Sequence, residues 1–213
     1  MSLNLTLVSL SIINFNSPFI TPSHLFIHES SPSYLSVFNL NTHYFFTPFL
    51  YSSIKINFNI QHSSFKFFLS TALIFDTNYY HNTTMTSHLN IFTNTTINQC
   101  TFSKCTGDEG GALSFYSQNC NISISSCNFY LCTAKKSSGA IYIKRKITGP
   151  FSFTNCVIKN CSSGKHYRND QILTIDSENE IDHPTSINLT TISFWFDPAK
   201  TSNDNTGNMI TSY

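Results

Sequence analysis

Six of the seven cysteines stand in pairs of one spacing: Cys100 and Cys105, Cys127 and Cys132, Cys156 and Cys161. A C-x4-C pair lies at the edge of the spacings zinc knuckles use, and His166 extends the third pair, so tetrahedral zinc ligation is the first chemistry to weigh. The neighbouring residues argue against it. Each pair encloses a large apolar residue two positions after its first cysteine, Phe102, Phe129 or Ile158, and a further copy of the pattern, INLTTISFWF, has Ile192 in place of cysteine. A position that accepts isoleucine is an apolar slot, so the cysteines read as core residues and no metal ligand is assigned. Disulfides between stacked copies stay open: neighbours ~4.8 Å apart fall inside the Cα window a disulfide tolerates, although parallel side chains give poor torsion. With seven cysteines, including the lone Cys120, at least one lacks an intrachain partner.

The second candidate is acidic. In DSENEID, Asp176, Glu178, Glu180 and Asp182 alternate. An extended chain would put them on one face, able to bind calcium or to furnish an acid/base pair for polysaccharide cleavage. The outward strand positions nearby, Ser114, Ser123, Tyr142, Ser152 and Thr174, bring no carboxylate to complete such a site, so the row reads as a solvated loop. Asp108 and Glu109 read as surface turn residues in a Gly-rich turn, and His24 and His28, at a helix-like spacing, are flanked by Pro22 and Pro32. No nucleophile elbow, phosphate loop or dinucleotide fingerprint occurs, so no catalytic residue and no cofactor site is assigned. Six N-x-S/T sequons, at Asn4, Asn82, Asn94, Asn121, Asn160 and Asn188, would carry glycans if the chain enters a secretory pathway.

The elements that would position these residues emerge from a repeat. After each cysteine pair comes a turn-rich segment and an alternating run, GGALSF, SGAIYI or DQILTI, which makes Leu113, Ile141 and Leu173 equivalent, and likewise Phe115, Ile143 and Ile175. Further alternating runs precede the later pairs, with Ile122 and Ile124, then Phe151 and Phe153, then Ile187 and Leu189. The spacing grows from 27 to 29 to 36 residues through polar insertions. Each unit thus holds two or three short period-2 strands, with no ten-residue stretch of helical periodicity between them. Stacked with one face inward, such units make a parallel β-helix, in which Gly110 and Gly111 turn a crowded corner. The template extends upstream to Phe58, Ile60, Ser63, Phe65 and Phe68, and to Leu5, Leu7, Leu10 and Ile12, whereas residues 17 to 53, with Pro18, Pro22, Pro32 and Pro48, take no coil assignment.

The pattern resembles the repeat of the chlamydial polymorphic membrane proteins and the related surface-protein family of parasitic protists. Gly110-Gly111-Ala112-Leu113 matches that family's G-G-A-I motif and Ser138-Gly139-Ala140-Ile141 is a degenerate copy. Its companion F-x-x-N motif keeps Phe102 and Phe129 but has Cys105 and Cys132 in place of Asn, closer to the cysteine-bearing protist versions. Similarity covers residues 97 to 196. The resemblance implies a right-handed β-helix displayed at a surface and acting in adhesion or as a passenger.

Composition narrows the partners. Charged residues are 11% of the chain, against roughly 25% on average, and the net charge is +1, so no field attracts nucleic acid or anionic lipid. Lys135-Lys136 and Lys144-Arg145-Lys146 read as solvated loop ends. FFLSTALIF is too short to span a bilayer as a helix, and the apolar N-terminus, with no Lys or Arg before Lys55, reads as a strand rather than a leader. The expectation is an all-β chain: a right-handed parallel β-helix, a pectin lyase-like solenoid of about 27–36 residues per coil. Degenerate coils occupy 1–90, clear repeats 91–196 and a polar tail 197–213. Its function would be non-enzymatic, at a cell surface or outside the cell, contacting a protein or glycan partner; the rival is a carbohydrate-active enzyme using the acidic row.

Overall fold

The computed structural model describes residues 4–16, 33–52, 56–76, 93–116, 120–136, 138–144, 150–163, 173–176, 187–190, 193–195 and 210–212. Over these residues the chain is all β, and it passes repeatedly through three parallel sheets. The first lap gives β1 (Asn4–Val8) and β2 (Ser11–Phe15); the second gives β3 (Ser33–Phe38), β4 (Asn41–Phe45) and β5 (Leu50–Ser52). The third gives β6 (Ile56–Gln61), β7 (Ser64–Phe68) and β8 (Leu73–Phe75), and the fourth β9 (Thr93–Asn98), β10 (Thr101–Gly107) and β11 (Leu113–Phe115). The fifth is β12 (Cys120–Ser125), β13 (Asn128–Tyr130), β14 (Thr133–Ala134) and β15 (Ile141–Lys144); the sixth is β16 (Phe151–Thr154), β17 (Val157–Lys159), β18 (Ser162–Ser163) and β19 (Leu173–Asp176). Three last strands follow, β20 (Ile187–Thr190), β21 (Ser193–Trp195) and β22 (Ile210–Ser212).

The first strand of each lap joins one sheet, in the order β1-β3-β6-β9-β12-β16-β20. The second sheet runs β2-β4-β7-β10-β13-β17-β21, with β14 and β18 beside it, and the third runs β22-β19-β15-β11-β8-β5. Period-2 alternation dictates this arrangement, because every strand then has one apolar face to bury and stacking equivalent strands buries all of them together. The registers expected from the repeat are the registers found. Leu113 pairs Ile141, which pairs Leu173, and Phe115 pairs Ile143, which pairs Ile175.

The core is a set of side-chain ladders running across the strands. Phe65, Phe102 and Phe129 stack with ring centroids 5.1 Å apart and planes 8° from parallel, and Phe75 stacks on Phe115 at 5.0 Å. Such rings bury large apolar areas in a low-energy offset geometry.

Each lap bends at two recurring corners by placing one residue in the left-handed region. At the first corner these are Ser9, Asn39, His62, Gln99, Ser126 and Asn155, and at the second Tyr44, Phe67, Lys104, Leu131 and Asn160. Asn, Ser and His tolerate this conformation, whereas Tyr, Phe and Leu are strained in it. Glycine has a different task here: no described glycine has a positive φ. Gly111 is needed because a Cβ there would collide with the Gly139 carbonyl oxygen and come within 2.8 Å of Thr133 N. The expected crowding is therefore real, but it arises from close approach between laps rather than from a glycine-only backbone.

Candidate functional site

The cysteines form two internal stacks. Cys100, Cys127 and Cys156 sit just beyond the first corner, and Cys105, Cys132 and Cys161 just beyond the second; all seven cysteines are free and buried. Among the described residues no group of three or more His, Cys, Asp or Glu is placed to hold a metal ion. Burial pushes the Cys105, Cys120 and Cys161 thiols up, which favours their protonated form, whereas hydrogen bonding with Cys127 draws Cys100 and Cys156 down and, against its burial, hydrogen bonds with Cys105 and Cys161 draw Cys132 down.

The first stack is more than an apolar slot. The backbone N–H of Cys100 donates to Cys127 Sγ at 3.4 Å, and that of Cys127 donates to Cys156 Sγ at 3.4 Å. Each thiol in turn donates to the carbonyl two residues back, Cys127 to Ser125 O and Cys156 to Thr154 O, both at 3.2 Å. Ser63 does the same one lap earlier, accepting from Leu40 N at 3.1 Å and donating to Gln61 O at 2.8 Å. The corner leaves a buried N–H that needs an acceptor, and a thiol or hydroxyl on the next lap supplies one. The Ile192 argument did not reveal this role; Ser63 in the same slot was the sequence signal for it.

Of the acidic row only Asp176 lies among the described residues. Asp176 ends β19 in register with Lys144, while Glu178, Glu180, Asp182, His166, His24 and His28 lie outside the described residues. Asp108 forms an exposed ion pair with Lys135 at 3.1 Å. Glu109 accepts a hydrogen bond from the Tyr116 hydroxyl at 2.6 Å, and burial together with this carboxylate raises the Tyr116 phenol far above its ordinary range. Two positions expected to face outward are covered: Ser114 is 1% exposed and Tyr142 3%, with the Tyr116 ring 5.8 Å from that of Tyr142.

The accessible, ordered chemistry lies on the outer face of the first sheet. No Lys, Arg, His, Asp or Glu occurs in any of its seven strands. Its central outward row runs Thr6, Ser36, Asn59, Thr96, Ser123, Ser152, each in register with the next, and Ser152 pairs in turn with Asn188. Beside it, Asn94 N donates to Asn57 Oδ1 at 2.8 Å and Asn121 Nδ2 donates to Asn94 Oδ1 at 2.8 Å. A shallow groove of about 260 Å³ opens over β3, β6 and β9, lined by Tyr34, Ser36, Asn57, Asn59, Gln61 and Thr96 among others. Outward positions of the second sheet differ, carrying cations and exposed rings: Tyr44 stacks on Phe67 at 4.9 Å, with Lys104 Nζ 4.8 Å from the Phe67 ring centre.

Four of the six sequons fall in strands of the first sheet, at Asn4, Asn94, Asn121 and Asn188; Asn160 sits at the second corner, and Asn82 lies outside the described residues. The sheet's own alternation produces them. An outward Asn, an inward residue such as Thr95 or Ile122, and an outward Ser or Thr make a strand with one polar face and a sequon at once.

No protein-family model, curated protein or solved structure matches the chain. Among the described residues no helix is long and apolar enough to cross a membrane.

Proposed function

We propose that the chain is a right-handed parallel β-helix of the polymorphic-membrane-protein type, displayed at a cell surface or secreted, and that it acts without catalysis by contacting a partner through its outer faces. The observation that carries this reading is the contrast between inside and outside. The seven cysteines are buried, six of them in two stacks, while the described outer face of the first sheet is made mainly of neutral hydroxyl and amide side chains. Three parallel sheets visited in rotation, with registers that follow the repeat, support the β-helix. The repeat carrying Gly110-Gly111-Ala112-Leu113 supports the family. A face of this kind offers hydrogen bonds over a wide area with no group set up for proton transfer or nucleophilic attack, which suits binding rather than turnover. The test is surface labelling of intact source cells with a membrane-impermeant reagent, together with assay of the medium. Labelled or secreted chain supports display, and chain found only inside the cell overturns it.

A further inference from the structure

We infer that the groove on the outer face of the first sheet, with its lining Asn94 free of an N-linked glycan, binds a neutral glycan chain laid across the strands with about one sugar per strand; this rests on the display reading above and names its partner class. The first argument is charge. A wide binding face without a single ionic side chain has nothing to offer a phosphate, sulfate or uronate, and nothing to repel an uncharged polyol. The second is hydrogen-bond chemistry. A sugar hydroxyl both donates and accepts, and the groove is lined by groups that do the same: the Ser36 and Thr96 hydroxyls and the amides of Asn57, Asn59 and Gln61.

The third argument is preorganisation. A backbone N–H can only donate, so the bond from Asn94 N fixes the Asn57 oxygen toward Asn94 and leaves the Asn57 amide nitrogen as the remaining donor group. Gln61 Nε2 donates to Asn59 Oδ1 at 3.2 Å, which likewise sets the Asn59 amide. These side chains are held by the sheet before any ligand arrives, so little side-chain entropy is lost on binding. The fourth is shape. Parallel strands repeat every ~4.8 Å, close to the length of one pyranose unit in an extended chain, and the row Ser36, Asn59, Thr96, Ser123, Ser152 continues at that repeat beyond the groove. At the groove's end Tyr34 is 53% exposed, and its ring gives a sugar face an apolar platform.

The test uses the full chain in affinity electrophoresis through gels carrying neutral polysaccharides (a β-glucan, a xylan, a galactomannan) or anionic ones (polygalacturonate, heparin). Calorimetry with neutral oligosaccharides of increasing length follows. Retardation by at least one neutral polysaccharide is expected, unchanged by added salt and growing with oligosaccharide length. Tyr34→Ala and Asn59→Ala should each weaken it by about tenfold, the scale of one lost stacking or hydrogen-bonding group. Lys159→Ala, on the second sheet, should leave it unchanged. The inference is overturned by no retardation in any neutral gel, by salt-sensitive binding to anionic polymers alone, or by binding that Tyr34→Ala leaves intact. It is also overturned by a dimer in sedimentation that Tyr34→Ala dissolves, which would give the face to a second copy of the chain. A surface-labelled chain that binds no neutral glycan removes this inference and leaves the display reading standing; an intracellular chain that does bind reverses that outcome.

Discussion

The laps at 33–76 and those at 93–163 build the same cross-section from different side chains. Beyond the second corner the earlier laps place Phe45 and Phe68, stacked at 4.8 Å, where the later ones place Cys105, Cys132 and Cys161. In the second lap Thr42 occupies the place of Phe65, Phe102 and Phe129. There Phe49 occupies the place of Ala72, Ala112 and Ala140, with its ring 5.5 Å from that of Phe65. Volume removed at one slot returns at another, as a close-packed interior requires. The cysteine pairs are therefore one packing solution among several, and their regular spacing reflects the register of the laps rather than shared chemistry.

The largest effect should come from breaking that exchange. Phe49→Ala removes a fully buried ring and should cost about 3–5 kcal/mol in denaturant unfolding. Adding Thr42→Phe recreates the third lap's arrangement and should recover a large part of the loss, and strict additivity of the two changes would contradict the shared cross-section. The next effect sharpens the comparison at the first corner. Cys127→Ala leaves the Cys100 N–H without its acceptor and should cost about 1–3 kcal/mol, whereas Cys127→Ser should be nearly neutral because Ser63 already serves that slot. Equal losses for the two variants would show that only volume matters there.

A smaller effect is set by pH. Burial holds the Cys120 thiol and the Tyr116 phenol protonated in the fold, while in the unfolded chain they ionise near their ordinary values of ~8.5 and ~10. Their folded values are raised, so the stability they contribute is complete below about pH 8.5 and is lost as pH rises above it. An unfolding midpoint that falls through this alkaline range is expected, with Tyr116→Phe flattening its upper part. A midpoint unchanged by alkali would count against the buried setting. Smallest of all, Lys135→Ala should change stability by about 0–1 kcal/mol, since its partner Asp108 is equally exposed.

Much of the fold was legible because one repeat fixes the register of its neighbours. Phe58, Ile60, Ser63, Phe65 and Phe68 were placed from the cysteine repeat, and all are buried at those places. The lap at 33–52 escaped notice because prolines around it disguised the same spacing in Leu35, Val37, Leu40, Thr42 and Phe45; Pro48 falls between β4 and β5, where it breaks no ladder. Leu5 was read as inward and is 39% exposed, since no strand stacks on the far side of β1 among the described residues. At the candidate site, sequence revealed the polar alternation and the absence of charge. The groove and the fixed amides depend on which strands become neighbours, and Ser114 and Tyr142 proved buried, with the Tyr116 ring beside that of Tyr142.

The central claim is that the cysteines are the inside of the molecule and its function is outside. It is tested most directly by alkylating the native chain with a small thiol reagent, with and without a chelator, and counting modified cysteines by mass spectrometry before and after unfolding. The account predicts no rapid modification of the folded chain, seven modified thiols once it unfolds, and no effect of the chelator. Rapid labelling of a cysteine pair in the folded state, protection lost on chelation, or fewer than seven thiols after unfolding without reductant would contradict it.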